Sequence, residues 1–219
     1  MRHPNYVAVV VEGLALPPVH TAWVAAAVFT VINARNPSID AVRLVEAGWD
    51  RSEQLVIAEL PVTYERAAAA LRALLAEHAP EVVVGVGLAA GRGRVGLERV
   101  AVNLRDARIP DNDGAQPTEG PVLDGGPTAV FTSLPVKTTL ERSQAAGVPA
   151  ELSLTAGTFV CNAVFCLGAS WAQQRGGRRA GFVHVPTGDV VGSARAVRLS
   201  IDSALDDGER SRTPGGALD

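Results

Sequence analysis

Short apolar runs and longer amphipathic stretches follow one another along this chain. A continuous apolar run between turn residues is typical of a buried strand, whereas apolar positions that recur every three or four residues are typical of a helix. The pattern predicts strands at 6–11, 55–60, 81–86, 98–104, 151–155 and 180–185, and helices at 64–77, at 134–146 and from Cys161 through Ala172.

The order of these elements indicates an α/β protein. Strands that alternate with helices build a mostly parallel sheet whose two faces are covered by the helices. We therefore expect a three-layer α/β/α fold with a mixed, mostly parallel central sheet. The stretch 110–127 is rich in Gly, Pro, Asp and Asn, and it predicts a long loop.

Length and composition predict one domain. A chain of 219 residues that is 47% apolar can bury one sizeable core, and two full domains would be cramped. We expect a single α/β domain over 1–202. The stretch 203–219 is polar and contains Gly and Pro, and it predicts a disordered C-terminal tail.

Charge and hydropathy argue against several classes of partner. The formal net charge is -3 and the isoelectric point is near 5.8, so the sequence lacks the basic balance of a nucleic-acid-binding domain. No apolar run reaches the length of a membrane-spanning helix, and the first residues lack a convincing signal-peptide pattern. We expect a cytoplasmic protein with no nucleic-acid or membrane partner.

The sequence contains two cysteines, Cys161 and Cys166. Five positions apart on one helix, their side chains diverge by about 140°, which prevents a disulfide. Two free thiols fit a reducing compartment. We assign Cys166 to the core side of the helix, as a packing residue.

The stretch 155–162, TAGTFVCN, predicts a strand, a tight turn and a helix whose first turn carries Cys161. A single cysteine is by default a small buried hydrophobe. At a helix start, however, unpaired N–H groups and the positive end of the helix dipole favour the thiolate. Cys161 is therefore a candidate nucleophile, provided that a base lies near it.

His184 and Glu98 are the candidate partners of that thiol. His184 lies at the end of a predicted strand, where open α/β sheets place their ligands, and Glu98 begins the predicted strand after a glycine-rich stretch. An imidazole and a carboxylate complete the set of groups for nucleophilic catalysis by cysteine. The alternatives are a structural histidine and a solvated carboxylate. The other histidines form no metal-binding pattern, so we expect no metal and no cofactor.

The glycine stretch 85–90, GVGLAA, supports a competing interpretation. It follows a predicted strand, fits G-x-G-x-x-A and has Asp106 about twenty residues further on, as in a dinucleotide-binding protein. Such a site also needs a helix that begins at the glycines to hold the pyrophosphate. The residues that follow predict no helix, which disfavours nucleotide binding.

Three sequence motifs resemble those of the pyroglutamyl peptidase I family, also called pyrrolidone carboxyl peptidases. They are the segment from GR at 91–92 through ERVAVN at 98–103 with DARIPDNDG at 106–114, then TAGTFVCN at 155–162, and GFVHVP at 181–186. Their order and separations are similar to those of the family, and together they cover roughly 60–186. The resemblance implies a cysteine peptidase that removes N-terminal pyroglutamyl residues from peptides.

The resemblance also implies roles for individual residues. Cys161 would be the nucleophile, His184 the base and Glu98 the group that orients the histidine. Phe159, Val160 and Ile109 match positions that line the lactam-ring pocket, and Asn36, in the N-P-S that the family shares, is assigned to substrate binding with them. The family also implies a homo-oligomer, a tetramer.

The N-terminal third departs from the family pattern. The family has a G-F-x-P-F-G loop after the first strand, whereas 11–18 reads VEGLALPP, without either phenylalanine. An extra stretch then separates this loop from Asn36; alternatively, Trp23 matches the family tryptophan and the insertion follows it. Two other functions thus stay open: a catalytically altered relative that binds lactams, and a dinucleotide-binding oxidoreductase.

Overall fold

The structure is a computed structural model that describes residues 6–10, 25–31, 36–206 and 211. Its strands and helices alternate along much of the chain. The strands are β1 (Tyr6–Val10), β2 (Ala25–Val31), β3 (Gln54–Leu60), β4 (Val82–Leu88), β5 (Val95–Glu98), β6 (Val100–Val102), β7 (Ala129–Phe131), β8 (Ala150–Ser153) and β9 (Arg179–Val185), and the helices are α1 (Pro37–Ala47), α2 (Tyr64–His78), α3 (Val136–Ala145), α4 (Val160–Gln173) and α5 (Val190–Leu205).

Seven strands form the central sheet, in the order β1-β3-β2-β4-β9-β5-β8. The pairs β2–β3, β2–β4, β4–β9 and β5–β8 are parallel, whereas β1 is antiparallel to its partners and β5 is antiparallel to β9. A separate two-stranded sheet pairs β6 with β7. The predicted mixed, mostly parallel sheet is confirmed.

Helices cover both faces of this sheet, and the alternation of side chains along β4 divides the core between them. Val83 packs in one cluster with the buried faces of α2 and α4, including Leu71 and Phe165. Val84 packs in the other cluster, which takes in α1, α3 and α5 and includes Ile201. Successive strand residues point to opposite faces, so β4 contributes to both cores. The result is the expected three-layer α/β/α fold.

The glycine stretch that resembled a dinucleotide fingerprint is part of this sheet. Gly85 and Gly87 lie within β4, and the chain then turns through 89–94 directly into β5, with no helix between the two strands. A Cβ at Gly85 would lie 2.2 Å from the Phe182 ring, and one at Gly87 would lie 2.9 Å from it. The glycines are explained by the close approach of an aromatic ring, and the helix that a pyrophosphate requires is absent here.

Several elements differ from the sequence prediction. The strand expected at 98–104 is two strands, because β5 pairs in the main sheet while β6 pairs with β7. The elements β2, α1, β7 and α5 were not predicted. Helix α5 continues to Leu205, and its residues Ile201 and Ala204 are buried in the core. The boundary expected after residue 202 is therefore too early. The expected disorder beyond that helix falls largely outside the described residues and stays a prediction.

None of the helices in the described part of the chain is long and apolar enough to cross a membrane. The loop predicted at 110–127 contains no helix or strand, as expected.

Candidate active site

The sheet brings Glu98 and His184 to adjacent strands. His184 is the sixth residue of β9, and it lies opposite Gly96 in the antiparallel pairing of β9 with β5. Glu98 lies two residues after Gly96 on β5. Residues two apart on a strand face the same side of the sheet, so the Glu98 side chain lies on the face to which Gly96 belongs. Strand pairing therefore places the carboxylate beside the imidazole, although 86 positions separate the two residues in sequence.

Glu98 and His184 form a buried hydrogen-bonded pair. The distance between His184 Nδ1 and Glu98 Oε1 is 2.7 Å, and the two residues are 5% and 0% exposed, respectively. A carboxylate only accepts hydrogen bonds, so the pair fixes the tautomer in which Nδ1 carries the hydrogen. The other ring nitrogen, Nε2, is then an acceptor in the neutral imidazole, as a general base requires.

Cys161 lies in the first turn of α4 and faces the sheet at the level of His184. A Cβ built on Gly87 would lie 3.1 Å from Cys161 Sγ, and Gly87 is the residue opposite His184 in the pairing of β4 with β9. The thiol is 7% exposed. The sulfur thus lies over β4, next to the strand that carries the histidine.

The turn before α4 is fixed by local geometry and by contacts with distant segments. Gly157 has φ of +76°, a left-handed conformation that glycine adopts without strain. The next residue, Thr158, donates its hydroxyl to the Asp106 carbonyl at 2.6 Å and accepts from the Tyr64 hydroxyl at 3.1 Å through its own carbonyl. These contacts hold the end of the turn that leads to Cys161.

The start of α4 suits the stabilisation of negative charge. The N-cap residue, Phe159, makes no side-chain capping hydrogen bond. An α-helix leaves the N–H groups of its first turn without partners inside the helix and concentrates positive potential there. The backbone around Cys161 can therefore stabilise a thiolate or an oxyanion.

Asn162 connects this helix start to β6, a role that the sequence analysis missed. Its side chain accepts from the Val102 amide at 2.9 Å and donates to the carbonyls of Val102 at 2.8 Å and Leu104 at 3.1 Å. The residue is fully buried. The signal in the sequence is a polar Asn inside the apolar run FVCNAVFC at 159–166, because a side chain in such a run needs partners for its amide group when it is buried.

Asp111, in the ARIPDNDG motif, also has a structural role that sequence analysis did not assign. Its carboxylate accepts from the Tyr64 amide at 2.9 Å, at the start of α2, and from the amides of Asp113 and Ala115. Because an acidic group at a helix N-terminus is favourable, this contact fixes the loop to α2. The pKa of Tyr64 is raised to about 12 by burial, with a further contribution from the Asp111 carboxylate.

The residues assigned to the lactam pocket by resemblance lie in different environments. Phe159 is partly buried and packs edge-on against the Tyr64 ring, with 5.5 Å between ring centroids. Ile109 is 43% exposed, whereas Val160 is fully buried in the core. Asn36 caps α1: its Oδ1 accepts from the Ser38 amide at 3.0 Å and from the Ser38 hydroxyl at 2.7 Å. Their contacts with substrate stay predictions.

Cys166 lies in the core, as predicted. It is 0% exposed, and burial raises the pKa of its thiol to about 11. At neutral pH this thiol is therefore protonated and poorly nucleophilic. The segment 11–18, which departs from the family pattern, lies outside the described residues.

Over 6–10, 25–31, 36–206 and 211, no group of three or more His, Cys, Asp or Glu side chains could hold a metal ion. A cavity of about 440 Å³ lies between α2 and α4, but its lining, which includes Arg72, Trp171 and Arg178, contains none of the three candidate catalytic residues.

Comparisons with known proteins point to one family. A sequence model described as Pyroglutamyl peptidase matches residues 29–199. The pyrrolidone-carboxylate peptidase of Clavibacter michiganensis subsp. michiganensis (strain NCPPB 382) is 47% identical over 162 residues, which cover 73% of this chain and 76% of that protein. The pyrrolidone-carboxylate peptidase of Klebsiella pneumoniae (strain 342) is 40% identical over 151 residues, covering 69% of this chain and 71% of that protein.

Solved structures give the same result. The pyrrolidone carboxyl peptidase from Thermococcus litoralis superposes with a TM-score of 0.75 at 29% identity, and the pyroglutamyl peptidase I from Bacillus amyloliquefaciens with 0.74 at 31%. Each match covers 83% of this chain and 93% of the solved one. On the family model, the sequence identities and the shared fold, this chain belongs to the pyroglutamyl peptidase family.

Proposed function

We propose that this protein is a cysteine peptidase that removes N-terminal pyroglutamyl residues from peptides, with Cys161 as nucleophile, His184 as base and Glu98 as the group that orients His184. The observation that carries the proposal is the buried Glu98–His184 hydrogen bond at the level of the Cys161 sulfur. Membership of the family supports the reaction, and the relatives, which are pyrrolidone-carboxylate peptidases, support the substrate class.

The first half of the reaction forms an acyl-enzyme. His184 Nε2 takes the proton of the Cys161 thiol, and the thiolate attacks the carbonyl carbon of the pyroglutamyl residue. The carbonyl oxygen becomes an oxyanion, which the N–H groups at the start of α4 stabilise. The C–N bond then breaks, the leaving amine takes the proton back from His184, and a thioester with Cys161 remains.

The second half releases pyroglutamate. His184 removes a proton from a water molecule, which attacks the thioester carbonyl and forms a second oxyanion. The C–S bond breaks, the thiolate regains its proton from His184, and the free acid leaves. In both halves Glu98 keeps Nδ1–H directed at itself and stabilises the positive imidazolium that forms.

The neutral lactam explains why such an enzyme is specific for blocked peptides. An ordinary N-terminus carries an ammonium group, and burying it in a small apolar pocket without a partner is costly. We propose that Phe159, Val160 and Ile109 contribute to that pocket and that Asn36 supports it by capping α1.

A fluorogenic assay tests this function. We expect the wild-type protein to release coumarin from a pyroglutamyl-coumarin amide, and Cys161→Ser to lower kcat by more than about a thousandfold. Cys166→Ser is the matched control, since it removes the other thiol five positions further along α4 and should keep activity. Turnover that survives Cys161→Ser would exclude the proposed nucleophile.

A catalytically altered relative is the second candidate function. It is favoured by one observation: the family match begins at residue 29, so the first 28 residues lie outside it. Such a protein would bind pyroglutamate or another lactam and show no turnover. Calorimetric titration with pyroglutamate, run beside the fluorogenic assay, separates the two functions.

We also propose a homo-oligomer, a tetramer, by family resemblance, and a cytoplasmic location, where the two thiols stay reduced. Light scattering coupled to size-exclusion chromatography measures the first. Fractionation of the source cells, with detection by antibody, measures the second.

A further inference from the structure

A second residue besides His184 contacts the buried carboxylate of Glu98. Arg92, in the turn between β4 and β5, places Nη1 2.7 Å from Glu98 Oε1, the same oxygen that pairs with His184. Its other terminal nitrogen, Nη2, donates to the Thr155 carbonyl at 2.9 Å. One guanidinium thus connects the orienting carboxylate to the loop that leads into α4.

The burial of Glu98 makes a cation at this point necessary. Removing a carboxylate from water is costly unless it is paired and hydrogen-bonded, and here the carboxylate is 0% exposed. A neutral imidazole supplies a hydrogen bond but no charge. The Arg92 guanidinium supplies a positive charge directly at this carboxylate, with 2.7 Å between Nη1 and Oε1.

The same contact fixes the orientation of the carboxyl group. Both donors converge on Oε1, while Oε2 is buried and has no hydrogen-bond partner among the described residues. If the group rotated about its terminal bond, both hydrogen bonds would have to form again on the other oxygen. Two convergent donors therefore hold the oxygen that faces Nδ1.

Gly96 provides the space for this arrangement. A Cβ at Gly96 would lie 2.3 Å from Arg92 Nη1 and 3.4 Å from Glu98 Oε1. Any side chain there would displace the guanidinium from the carboxylate. The glycine, the arginine and the glutamate thus form one unit on β5 and the turn that precedes it.

We propose that Arg92 is a positioning residue of the active site: it pairs with the buried Glu98 carboxylate and keeps that carboxylate oriented towards His184, and it fixes the Thr155 carbonyl in the loop that leads into α4 and Cys161. It acts through Glu98 and does not touch substrate. This inference rests on the proposed function, in which Glu98 orients His184.

A double-mutant cycle tests the inference in the full-length protein. Arg92→Met keeps most of the apolar part of the side chain and removes its charge. Glu98→Gln keeps the shape of the side chain but makes it neutral, so it no longer needs a positive partner. We expect Arg92→Met to lower kcat about 10- to 100-fold, as for a misplaced catalytic group, with KM changed less than about threefold. In the Glu98→Gln background the same substitution should cause no further loss, because two residues that act as a unit are not additive.

Rescue distinguishes positioning from simple structural support. Arg92→Lys keeps the charge but cannot bridge to Thr155, so it should regain part of the lost kcat. Because Arg92 is partly exposed, added guanidinium should raise the kcat of Arg92→Ala several-fold. Arg94→Met is the control: it removes an exposed charge from the same turn and should behave like the wild type.

Each result has one meaning. Additive losses in the cycle, or an Arg92→Met enzyme with wild-type kcat, would overturn the role of Arg92. If Glu98→Gln alone left kcat unchanged, the role of Glu98 in the proposed function would fail first, whatever Arg92 does. Should Arg92→Met not fold, Arg92→Lys still decides: a kcat equal to that of the wild type, with no sensitivity to the Glu98→Gln background, would contradict the proposal.

Discussion

Gly87→Ala adds one methyl group to β4 beside the sulfur of the candidate nucleophile. The new Cβ would lie 2.9 Å from the Cε1 and Cζ atoms of Phe182 and 3.1 Å from Cys161 Sγ. The ring is fully buried and cannot swing into solvent, so either it or the sulfur must shift. Overpacking of this kind costs about 1–3 kcal/mol.

The overpacking should lower both Tm and kcat. For a protein of this size each kcal/mol lowers Tm by roughly 2–4 °C, so the loss should be roughly 2–12 °C. A displacement of the sulfur towards 1 Å should lower kcat about a hundredfold, because reactivity depends on the near-attack geometry. Differential scanning calorimetry measures the first, and the pyroglutamyl-coumarin assay together with the rate of iodoacetamide labelling measures the second.

Gly168→Ala is the matched control for that substitution. Gly168 lies inside α4, seven positions after Cys161, and a Cβ there meets Val83 at 3.8 Å, an ordinary contact. Alanine is the better helix former by about 1 kcal/mol, so stability should stay equal or rise and activity should be kept. Wild-type kcat and Tm in Gly87→Ala would refute the claim that the sulfur is held against β4.

Three further outcomes are expected. Asn162→Ala should lower the free energy of unfolding, measured by urea denaturation, by about 2–4 kcal/mol. The substitution removes the hydrogen-bond partner of backbone groups of Val102 and Leu104, and each unpaired group costs about 1–3 kcal/mol when it is buried. A loss below about 1 kcal/mol would contradict the role given to the Asn162 side chain. Cys166, whose thiol pKa is raised to about 11, should remain unlabelled by iodoacetamide at pH 8 while Cys161 reacts, as peptide mass mapping would detect; rapid labelling of Cys166 in folded protein would show that it is not in the core. The segment 11–18 lacks both phenylalanines of the family motif, so pyroglutamyl substrates should bind about ten- to two-hundredfold more weakly than they bind to an enzyme that has them, while turnover stays measurable. Leu14→Phe should then lower KM. Normal affinity with no turnover would instead place the defect in the catalytic residues.

Local patterns in the sequence predicted most of the fold because strands and helices each impose their own spacing on the apolar residues. The continuous apolar runs gave β1, β3, β4 and β9 to within about two residues. In β4 and β9 almost every residue is buried, and a strand that is covered on both faces is apolar at nearly every position. Helix α5 was missed because its buried face is built largely from small and hydroxyl-bearing residues, such as Ala196, Ser193 and Ser200. Helix α5 packs against α1, and no local pattern in the sequence describes that contact.

The sequence by itself gave the alternation of strands and helices and the family motifs, because both follow from residue type and local spacing. Those motifs also made Cys161, His184 and Glu98 the candidate catalytic residues. The tertiary structure alone decided that β5 and β9 are neighbours, so that Glu98 meets His184 across 86 positions. It alone decided that Gly85 and Gly87 accommodate an aromatic ring and that β5, and no helix, follows them. It also decided that Arg92 joins the same carboxylate. Contacts of this kind depend on strand order and on the space beside Gly96, and the pairing of strands far apart in sequence is set by the packing of the whole sheet.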